Sequence, residues 1–336
     1  MRIAIDAMGG DFGPSVTIEA VSRVIDASED IDFELFGDFK IAKPFLDRFN
    51  LARSSRANFV HTEEKVESND KPSFALRVKK QSSMRMAIDS IKGHSEAACV
   101  SAGNTGALLG IARFVLKTLP GVSKPAICAP LPGINQATRV LDLGANIECS
   151  AEDLLSFAVM GSVLSKSAAG TEAPTIGLLN IGEEEVKGND IIKKAAELLS
   201  SSGLNYYGFV EGDDIFKGTV DVIVCDGFVG NVALKAGEGA AKLLSVIARE
   251  EFSKNIFTKL SYLFAKKVTS NLKSRVDHRN YNGASLLGLR GTVVKSHGSA
   301  DSLSFQKAIL VAISEVSKQV PKIIGKELED LTMNCQ

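Results

Sequence analysis

Short apolar runs alternate with longer amphipathic segments along almost the whole chain, and this alternation limits the folds open to it. Runs such as "PTIGLLNIG" (174–182) and "VDVIVCDGF" (220–228) are almost continuously apolar. Strands of this kind belong to a sheet that helices cover on both faces, and strand–helix alternation makes the sheet mainly parallel. Further strands are predicted at 2–7, 32–38, 97–103, 126–131, 138–146 and 205–212.

The segments between these strands predict helices. Residues 104–118, 150–166 and 190–202 carry apolar side chains at i, i+3, i+4 and i+7, the spacing of one helix face. No long linker, low-complexity tract or internal repeat interrupts the pattern. We therefore expect one interleaved α/β domain over 1–336, with 230–280 as a candidate for a projecting helical subregion.

Composition narrows the function classes. The net charge is −1, so bulk electrostatics give no attraction to nucleic acid or to an anionic membrane. The cysteines are scattered and contain no Cys-x-x-Cys pair, which indicates reduced thiols and neither a disulfide nor a zinc framework. No segment approaches the roughly 20 apolar residues needed to span a bilayer, and we expect a cytoplasmic protein. The cysteines are Cys99, Cys128, Cys149, Cys225 and Cys335.

Glycine and asparagine recur where predicted strands end. The pairs are Gly103–Asn104, Gly144 with Asn146, Gly188–Asn189 and Gly230–Asn231. Helix capping by asparagine and tight turning by glycine explain any one pair. Their repetition favours an anion site, because ligands bind beyond the carboxyl ends of strands and helix amides bind phosphate. The P-loop and nicotinamide-nucleotide fingerprints are both missing from the sequence.

Other catalytic candidates are few. His297 is the only histidine with a glycine-bearing strand end around it. The run Glu183–Glu185 with Asp226 could hold a metal, although a solvated acidic edge fits its spacing better. No serine stands in a G-x-S-x-G elbow and no cysteine lies in an evidently electropositive setting. A covalent acyl-enzyme therefore has no good candidate.

The segment 251–268 is amphipathic and basic. Between 251 and 280, seven Lys/Arg stand against two acids, a local net charge of +5. A core-facing or dimer-facing helix explains the pattern, and so does a docking surface for a lipid headgroup layer or an acidic carrier protein. The apolar face comprises Phe252, Ile256, Phe257, Leu260, Leu263, Phe264 and Val268. The lysines that would make the docking contact are Lys254, Lys259, Lys266 and Lys267.

Seven ordered motifs over residues 1–325 resemble those of bacterial phosphate acyltransferases (the PlsX family). They read "DAMGGD", "KPSFALRVKKQSSM", "VSAGNTGALL", "VLDLGAN", "GLLNIGEEEVKGN", "VDVIVCDGFVGNVALKAGEG" and "LLGLRGTVVKSHGS". The chain departs from the family pattern at Asn282, which replaces a glycine, at Ser285, which replaces a proline, and at Lys124, where arginine is usual.

The resemblance implies a three-layer αβα scaffold akin to phosphotransacetylases and isopropylmalate dehydrogenases. It implies fatty acyl transfer from acyl carrier protein to inorganic phosphate for phospholipid synthesis, by a homodimer with transient membrane contact. No metal or redox cofactor is implied. The product would pass to a glycerol-3-phosphate acyltransferase. The nearest rival is a phosphotransacylase that uses acyl-CoA.

On this resemblance, we expect several loop tips to converge on one phosphate ion. Lys187 would grip phosphate, Asp226 would orient Lys187 or accept a proton, and Asn231 with Asn104 would stabilise the oxyanion. The other expected phosphate- and substrate-binding residues are Asp6, Gly9, Gly10, Thr105, Gly106, Asn146, Gly188, Asn189, Gly230 and His297.

Overall fold

The computed structural model describes residues 1–28, 30–184, 186–276 and 281–334. Its strands are β1 (Arg2–Asp6), β2 (Asp32–Gly37), β3 (Ala57–His61), β4 (Ala97–Ser101), β5 (Ala126–Leu131), β6 (Thr138–Leu141), β7 (Ile176–Leu179), β8 (Tyr206–Val210), β9 (Val222–Val224), β10 (Ala284–Leu287) and β11 (Thr292–Lys295). Within these ranges the strands form one sheet in the order β3-β2-β1-β4-β11-β10-β5-β6-β9-β7-β8.

Helices cover both faces of this sheet. They are α1 (Pro14–Ile25), α2 (Phe39–Arg48), α3 (Pro72–Arg77), α4 (Ser83–Ser90), α5 (Thr105–Leu116), α6 (Ala151–Ala169), α7 (Asp190–Ser201), α8 (Asp214–Lys217), α9 (Gly227–Ser253), α10 (Ile256–Val276), α11 (Ser302–Ser317) and α12 (Val320–Asn334). Alternate residues of one strand enter different cores: Ile3 and Ile5 pack with α1 and α11, whereas Ala4 packs with α4 and α5. The near-continuous apolar strands of the sequence therefore have the two-sided burial that they predict.

The sheet consists of two halves of opposite polarity. Strands β1, β2, β3, β4 and β11 run parallel to one another. Strand β10 is antiparallel to both β11 and β5, and β5 is antiparallel to β6. Strands β6, β9, β7 and β8 then continue in parallel. The carboxyl ends of the β6 half and of the β1 half consequently lie at opposite edges of the sheet.

All eight predicted strands are present, and the two that end earliest relative to the prediction do so for reasons that lie in their side chains. The run 138–146 stops at Leu141 because the Asp142 carboxylate accepts the following backbone N–H groups. The run 220–228 stops at Val224 because the next helix is already capped two residues later. The sequence did not predict β3, β10 or β11, of which the last two are four residues long.

Helices α9 and α10 are joined by a short turn and contact each other in a helical hairpin, and α9 leaves the body of the protein early. From Glu238 to Glu251 every residue of α9 is exposed. The predicted single helix over 251–268 is wrong, because the chain turns at Lys254 and Asn255 and the Asn255 side chain accepts the first N–H groups of α10. No described helix combines the length and apolarity needed to cross a membrane.

Candidate functional site

The residues that the sequence predicted for the site fall into two groups. The first group follows β1, β4 and β11 and comprises Asp6, Gly9, Gly10, Asn104, Thr105, Gly106 and His297. The second group follows β6, β7 and β9 and comprises Asn146, Lys187, Gly188, Asn189, Asp226, Gly230 and Asn231. We expected one shared hollow, but the opposite polarity of the two halves divides the loops between two edges of the sheet.

Asp6 is a buried residue that stabilises the loops of the first group. Its side chain is 1% exposed, and its two oxygens accept hydrogen bonds of 2.6 Å from the hydroxyls of Ser83 and Ser101. Ser101 Oγ in turn accepts the Gly103 N–H at 3.0 Å. Burial raises the pKa of Asp6, and the two hydroxyls oppose that rise. Asp6 therefore positions the β4 loop, and its contact with substrate stays a prediction.

Gly9 and Gly10 allow the β1 loop to lie directly on its neighbours. A Cβ at Gly9 would stand 2.6 Å from Asp6 Oδ2 and 2.8 Å from Gly103 N. Gly10 has a φ of +84°, and a Cβ there would stand 2.9 Å from Gly298 O. A side chain at either position would separate these loops, so the two glycines fix a close backbone cluster at this edge.

His297 is held by Asn282, one of the residues that depart from the family pattern. Asn282 Oδ1 accepts the His297 N–H at 2.9 Å, and Asn282 Nδ2 donates to Ser296 Oγ at 2.8 Å and Ser304 O at 2.7 Å. The His297 ring contacts Ser299 Oγ through Nδ1 at 2.9 Å. Three hydrogen bonds from one amide side chain thus fix the turn that follows β11.

Lys295 is a buried cation that the sequence did not predict for the site. The residue is 9% exposed, and its ammonium donates to the carbonyl oxygens of Ala102, at 3.2 Å, and Ser296. No carboxylate within the described ranges pairs with it at ion-pair distance, although Asp6 and Asp11 attract it from further away. Burial lowers the pKa of Lys295 to about 8. The signal in the sequence was a lysine two residues before His297, at the end of an otherwise apolar strand.

Asn104 has a structural role. Its Nδ2 donates to Ser68 O at 2.9 Å and Asp70 O at 3.1 Å, and its Oδ1 accepts the Ala107 N–H at 3.0 Å. Thr105 and the following glycine form the first turn of α5. The amide caps α5 and fixes the loop before α3, and its expected role as an oxyanion donor stays a prediction.

In the second group, Asn146 is also a structural residue. Asp142 is fully buried, and its Oδ2 accepts the N–H of Asn146 at 2.7 Å and its Nδ2 at 2.9 Å. Nδ2 also donates to Pro125 O at 2.8 Å. Asn146 lies near the start of α6 but does not cap it, because Ser150 and Asp153 cap this helix with a reciprocal pair of hydrogen bonds.

Lys187 is exposed and paired with Glu184. The distance from Lys187 Nζ to Glu184 Oε2 is 2.7 Å, and this contact raises the pKa of Lys187. Asn189 caps α7 by accepting the Ile192 N–H at 2.9 Å, and Gly188 before it has a φ of +89°. The lysine and the helix start are adjacent as predicted, but the ammonium pairs with Glu184 rather than with Asp226.

Asp226 caps α9, since its Oδ1 accepts the Val229 N–H at 2.8 Å. Asn231 lies inside this helix, beside the backbone of Gly144, and is exposed. A Cβ at Gly230 would stand 1.9 Å from Asp142 O, so this glycine permits close packing of α9 on the β6 loop. Asn231 therefore lies near the start of α9, while Asp226 provides the cap.

A cavity of about 560 Å³ opens at the edge of the second group. One part of its wall is apolar and the other is charged or polar. It is lined by Lys124, Ile147, Glu148, Cys149, Ser150, Leu154, Asn189, Ile191, Ile192 and Asp226. Lys124 reaches Asp153 Oδ2 at 3.0 Å and Glu148 O at 2.8 Å. The cavity thus brings together Asn189 and Asp226, as the sequence predicted, and adds a lysine that the sequence did not.

Helix α9 connects the two groups. It begins at Asp226, on the edge of the second group, and its Lys235 is close enough to Lys295 to contribute to the lowered pKa of that residue. Lys235 itself pairs with Glu238 at 2.8 Å. Lys235 therefore adds positive charge near Lys295, in the first loop group.

The thiols and the acidic run were the other candidates for chemistry. The four described cysteines are free and buried, and burial raises the pKa of each thiol. Within the described ranges, no three His, Cys, Asp or Glu side chains are grouped so that they could hold a metal ion. Glu185 of the acidic run and Cys335 lie outside those ranges.

The predicted docking residues lie on the outside of the hairpin. Phe257 is 77% exposed, Leu260 47% and Phe264 88%. Lys259, Lys266 and Lys267 are exposed, whereas Lys254 pairs with Glu251 at 2.5 Å. Of the remaining predicted cations, Lys273 and Arg275 have undescribed side chains and Arg279 lies outside the described residues.

Comparison with known proteins gives a consistent result. A family model described as "Fatty acid synthesis protein" matches residues 1–323. A phosphate acyltransferase of Methylococcus capsulatus is 53% identical over 329 residues, which cover 98% of this chain and 97% of that protein. A phosphate acyltransferase of Alkalilimnicola ehrlichii is 50% identical over 331 residues, with 98% and 97% covered.

Solved structures show the same fold at low sequence identity. A phosphotransacetylase from Streptococcus pyogenes superposes with a TM-score of 0.64 at 14% identity, covering 95% of this chain and 94% of that one. The EutD phosphotransacetylase from Staphylococcus aureus gives a TM-score of 0.58 at 15% identity, with 94% of each chain covered. The α/β architecture is therefore that of the phosphotransacetylases.

Proposed function

This chain belongs to the phosphate acyltransferase (PlsX) family, an acyltransferase family of fatty acid and phospholipid synthesis, and we propose that its acyl donor is acyl carrier protein. Acyl transfer to inorganic phosphate follows from the family. A phosphate oxygen attacks the thioester carbonyl, the tetrahedral intermediate collapses, and the carrier's thiolate leaves. One C–O bond forms and one C–S bond breaks, so the products are an acyl phosphate and a free thiol.

The proposed phosphate site rests on one observation, the buried ammonium of Lys295. A buried charge is normally paired, because leaving it unpaired in a low dielectric is unfavourable. Lys295 instead contacts two carbonyl oxygens at the ends of β4 and β11, under loops that the close-packed glycines hold in place. Inorganic phosphate bound above these loops would supply the missing negative charge.

The rate of acyl transfer then depends on how the phosphate is positioned and on the charges around it. A phosphate fixed beside a bound thioester gains most of its rate from positioning, and its ionised oxygen needs little help from a base. The ammonium of Lys235 acts on Lys295 and could stabilise the oxyanion there, whereas the exposed amide of Asn231 lies one turn earlier on α9, beside Gly144. Losing one such donor typically costs about 2.7–4 kcal/mol of transition-state stabilisation.

A second location for phosphate rests on the 560 Å³ cavity. Asn189 at the start of α7 and Asp226 at the start of α9 face it, and Lys187 stands at the same loop. In this alternative, Lys187 exchanges Glu184 for phosphate and Asp226 accepts a proton. Lys295→Met and Lys187→Ala separate the two locations, because the variant with the larger rise in the KM for phosphate identifies the cation that binds it.

The donor is tested by measuring free thiol from palmitoyl-carrier protein and from palmitoyl-CoA at equal concentration, each with and without phosphate. Phosphate-dependent release that strongly favours the carrier supports the proposal. Preference for the CoA ester would instead make the chain an acyl-CoA phosphotransacylase. An acyl group trapped on the protein and detected by mass spectrometry would refute direct transfer.

We also propose that the α9–α10 hairpin makes the homodimer contact and a transient contact with the inner face of the membrane. Its exposed aromatic and aliphatic side chains with lysines alongside suit an anionic lipid surface. The acyl phosphate product would then be released where a glycerol-3-phosphate acyltransferase consumes it. Light scattering of the purified protein tests the dimer, and flotation with anionic and neutral liposomes tests the membrane contact.

A further inference from the structure

A second basic surface lies on α3 and the turn that follows it. We call Lys71, Phe74, Arg77, Val78 and Lys80 the α3 surface, and all five residues are exposed. Phe74 is 45% exposed and Val78 is 57% exposed. Residues four apart lie on the same side of a helix, so these two apolar side chains form one small patch. The surface thus combines an apolar centre with cations around it.

The cations of this surface are unpaired. Within the described ranges no ion pair involves Lys71, Arg77 or Lys80, whereas the adjacent Lys79 is paired with Asp70 at 3.1 Å. The wider segment 65–85 contains six Lys/Arg and two acids, a net charge of +4. The chain as a whole has a net charge of −1, so this segment is a local positive field on a nearly neutral protein.

The α3 surface is attached rigidly to the first loop group. The Asn104 amide donates to carbonyl oxygens of the loop before α3, at 2.9 and 3.1 Å. A Cβ at Gly106 would stand 2.8 Å from Pro72 Cγ, which shows how closely α3 packs on the start of α5. A partner on the α3 surface would therefore lie beside the loops after β4 and β11, where we place the phosphate.

We propose that the α3 surface docks the acidic recognition helix of the acyl carrier protein, an inference that rests on the carrier being the acyl donor. An amphipathic acidic helix matches an apolar pair surrounded by three free cations. Such a contact raises the association rate and weakens steeply with salt. The docked position brings the thioester-bearing arm to the edge of the sheet that carries Lys295.

The test reverses two charges and compares a matched control. The Arg77→Glu/Lys80→Glu variant alters the surface, and Lys322→Glu/Lys326→Glu makes a similar charge change at exposed positions on α12. Binding of fluorescently labelled carrier is followed by anisotropy at low and high salt, together with kcat and KM for palmitoyl-carrier protein. We expect the α3 variant to lose about tenfold or more in affinity and in kcat/KM at low salt. Its kcat at saturating carrier and its KM for phosphate should remain those of the control.

Two outcomes overturn the proposal and are distinguishable. If the wild-type enzyme neither binds the carrier nor releases its thiol, the assignment of the donor fails. If the wild type does both and the α3 variant behaves like the control, only the docking surface is wrong. Loss of carrier binding in Lys266→Glu/Lys267→Glu with none in the α3 variant would place the carrier on the hairpin. Phe74→Ala supplies a second variant, expected to weaken binding without changing its salt dependence.

Discussion

Replacing Lys295 with methionine should make the protein respond differently to pH as well as to phosphate. Methionine has a similar length and no charge. Burial lowers the pKa of Lys295 from 10.5 to about 8, so the unfolded state binds more protons than the folded state between these values. The free energy of unfolding of the wild type therefore rises with pH over that range, and the penalty of the buried ammonium is fully present below pH 8.

The size of this penalty in the free energy of unfolding follows from the two pKa values of Lys295. The full penalty is about 3 kcal/mol, since each pKa unit corresponds to ~1.4 kcal/mol. Most of it, about 2.5 kcal/mol, is relieved between pH 7 and pH 10 by the same linkage relation. Urea unfolding of both proteins at these two pH values gives the difference directly. Other groups that titrate in this range cancel in the comparison.

The same variant should bind phosphate more weakly. A hydrogen bond to a charged group contributes about 1.5–3 kcal/mol, so the KM for phosphate should rise roughly 10- to 150-fold. Wild-type activity should fall above pH 8, as the ammonium of Lys295 loses its proton. Equal pH dependence of unfolding in the two proteins, with an unchanged KM, would refute both the burial argument and the phosphate site.

Three further predictions concern other parts of the molecule. Burial raises the pKa of Glu315 from 4.5 to about 7, so the folded state binds more protons than the unfolded state over that range. The free energy of unfolding therefore falls by about 3 kcal/mol as the pH rises from 4.5 to 8. Glu315→Gln should abolish this loss, as measured by urea unfolding at the two pH values. Gly9→Ala places a Cβ 2.6 Å from Asp6 Oδ2, so it should lower the free energy of unfolding by about 1–3 kcal/mol and reduce activity. An unchanged melting temperature would show that the β1 loop accommodates the methyl group. Lys266→Glu/Lys267→Glu should reduce binding to anionic liposomes and leave turnover with soluble carrier unchanged. If variant and wild type float equally with these liposomes, the two lysines do not take part in membrane binding.

The fold class was accessible from the sequence because its main signal is local. Apolar runs such as 126–131 and 174–182 identify strands by themselves, and capping residues such as Ser150 and Asn189 identify helix starts. The direction of β10 cannot be predicted from local sequence, because it depends on which strands the short run Ala284–Leu287 pairs with. Strand β10 is antiparallel to both neighbours, so β5 runs in the direction of β11, and the antiparallel pairing of β5 with β6 decides which loops share an edge of the sheet.

The candidate site was predicted less well than the fold, and the reason is physical. Asparagine at a strand end has the same sequence signature whether its amide faces a ligand or a backbone carbonyl. Asn104 and Asn146 use their amides within the protein, while Asn231 lies inside a helix. Lys295 lies in the last of the seven motifs but was not predicted as a site residue, because only the folded structure shows its ammonium buried without a paired carboxylate.

The most direct test of the account follows the phosphate itself. Wild-type enzyme is incubated with palmitoyl-carrier protein and radiolabelled inorganic phosphate, and the lipid fraction is assayed for label that neutral hydroxylamine releases, as it does from an acyl phosphate. We predict one labelled phosphate per thiol released, and loss of both signals in Lys295→Met at a phosphate concentration near the wild-type KM. Thiol release without label in the lipid, or equal labelling by the methionine variant, would contradict acyl transfer to a phosphate bound at Lys295.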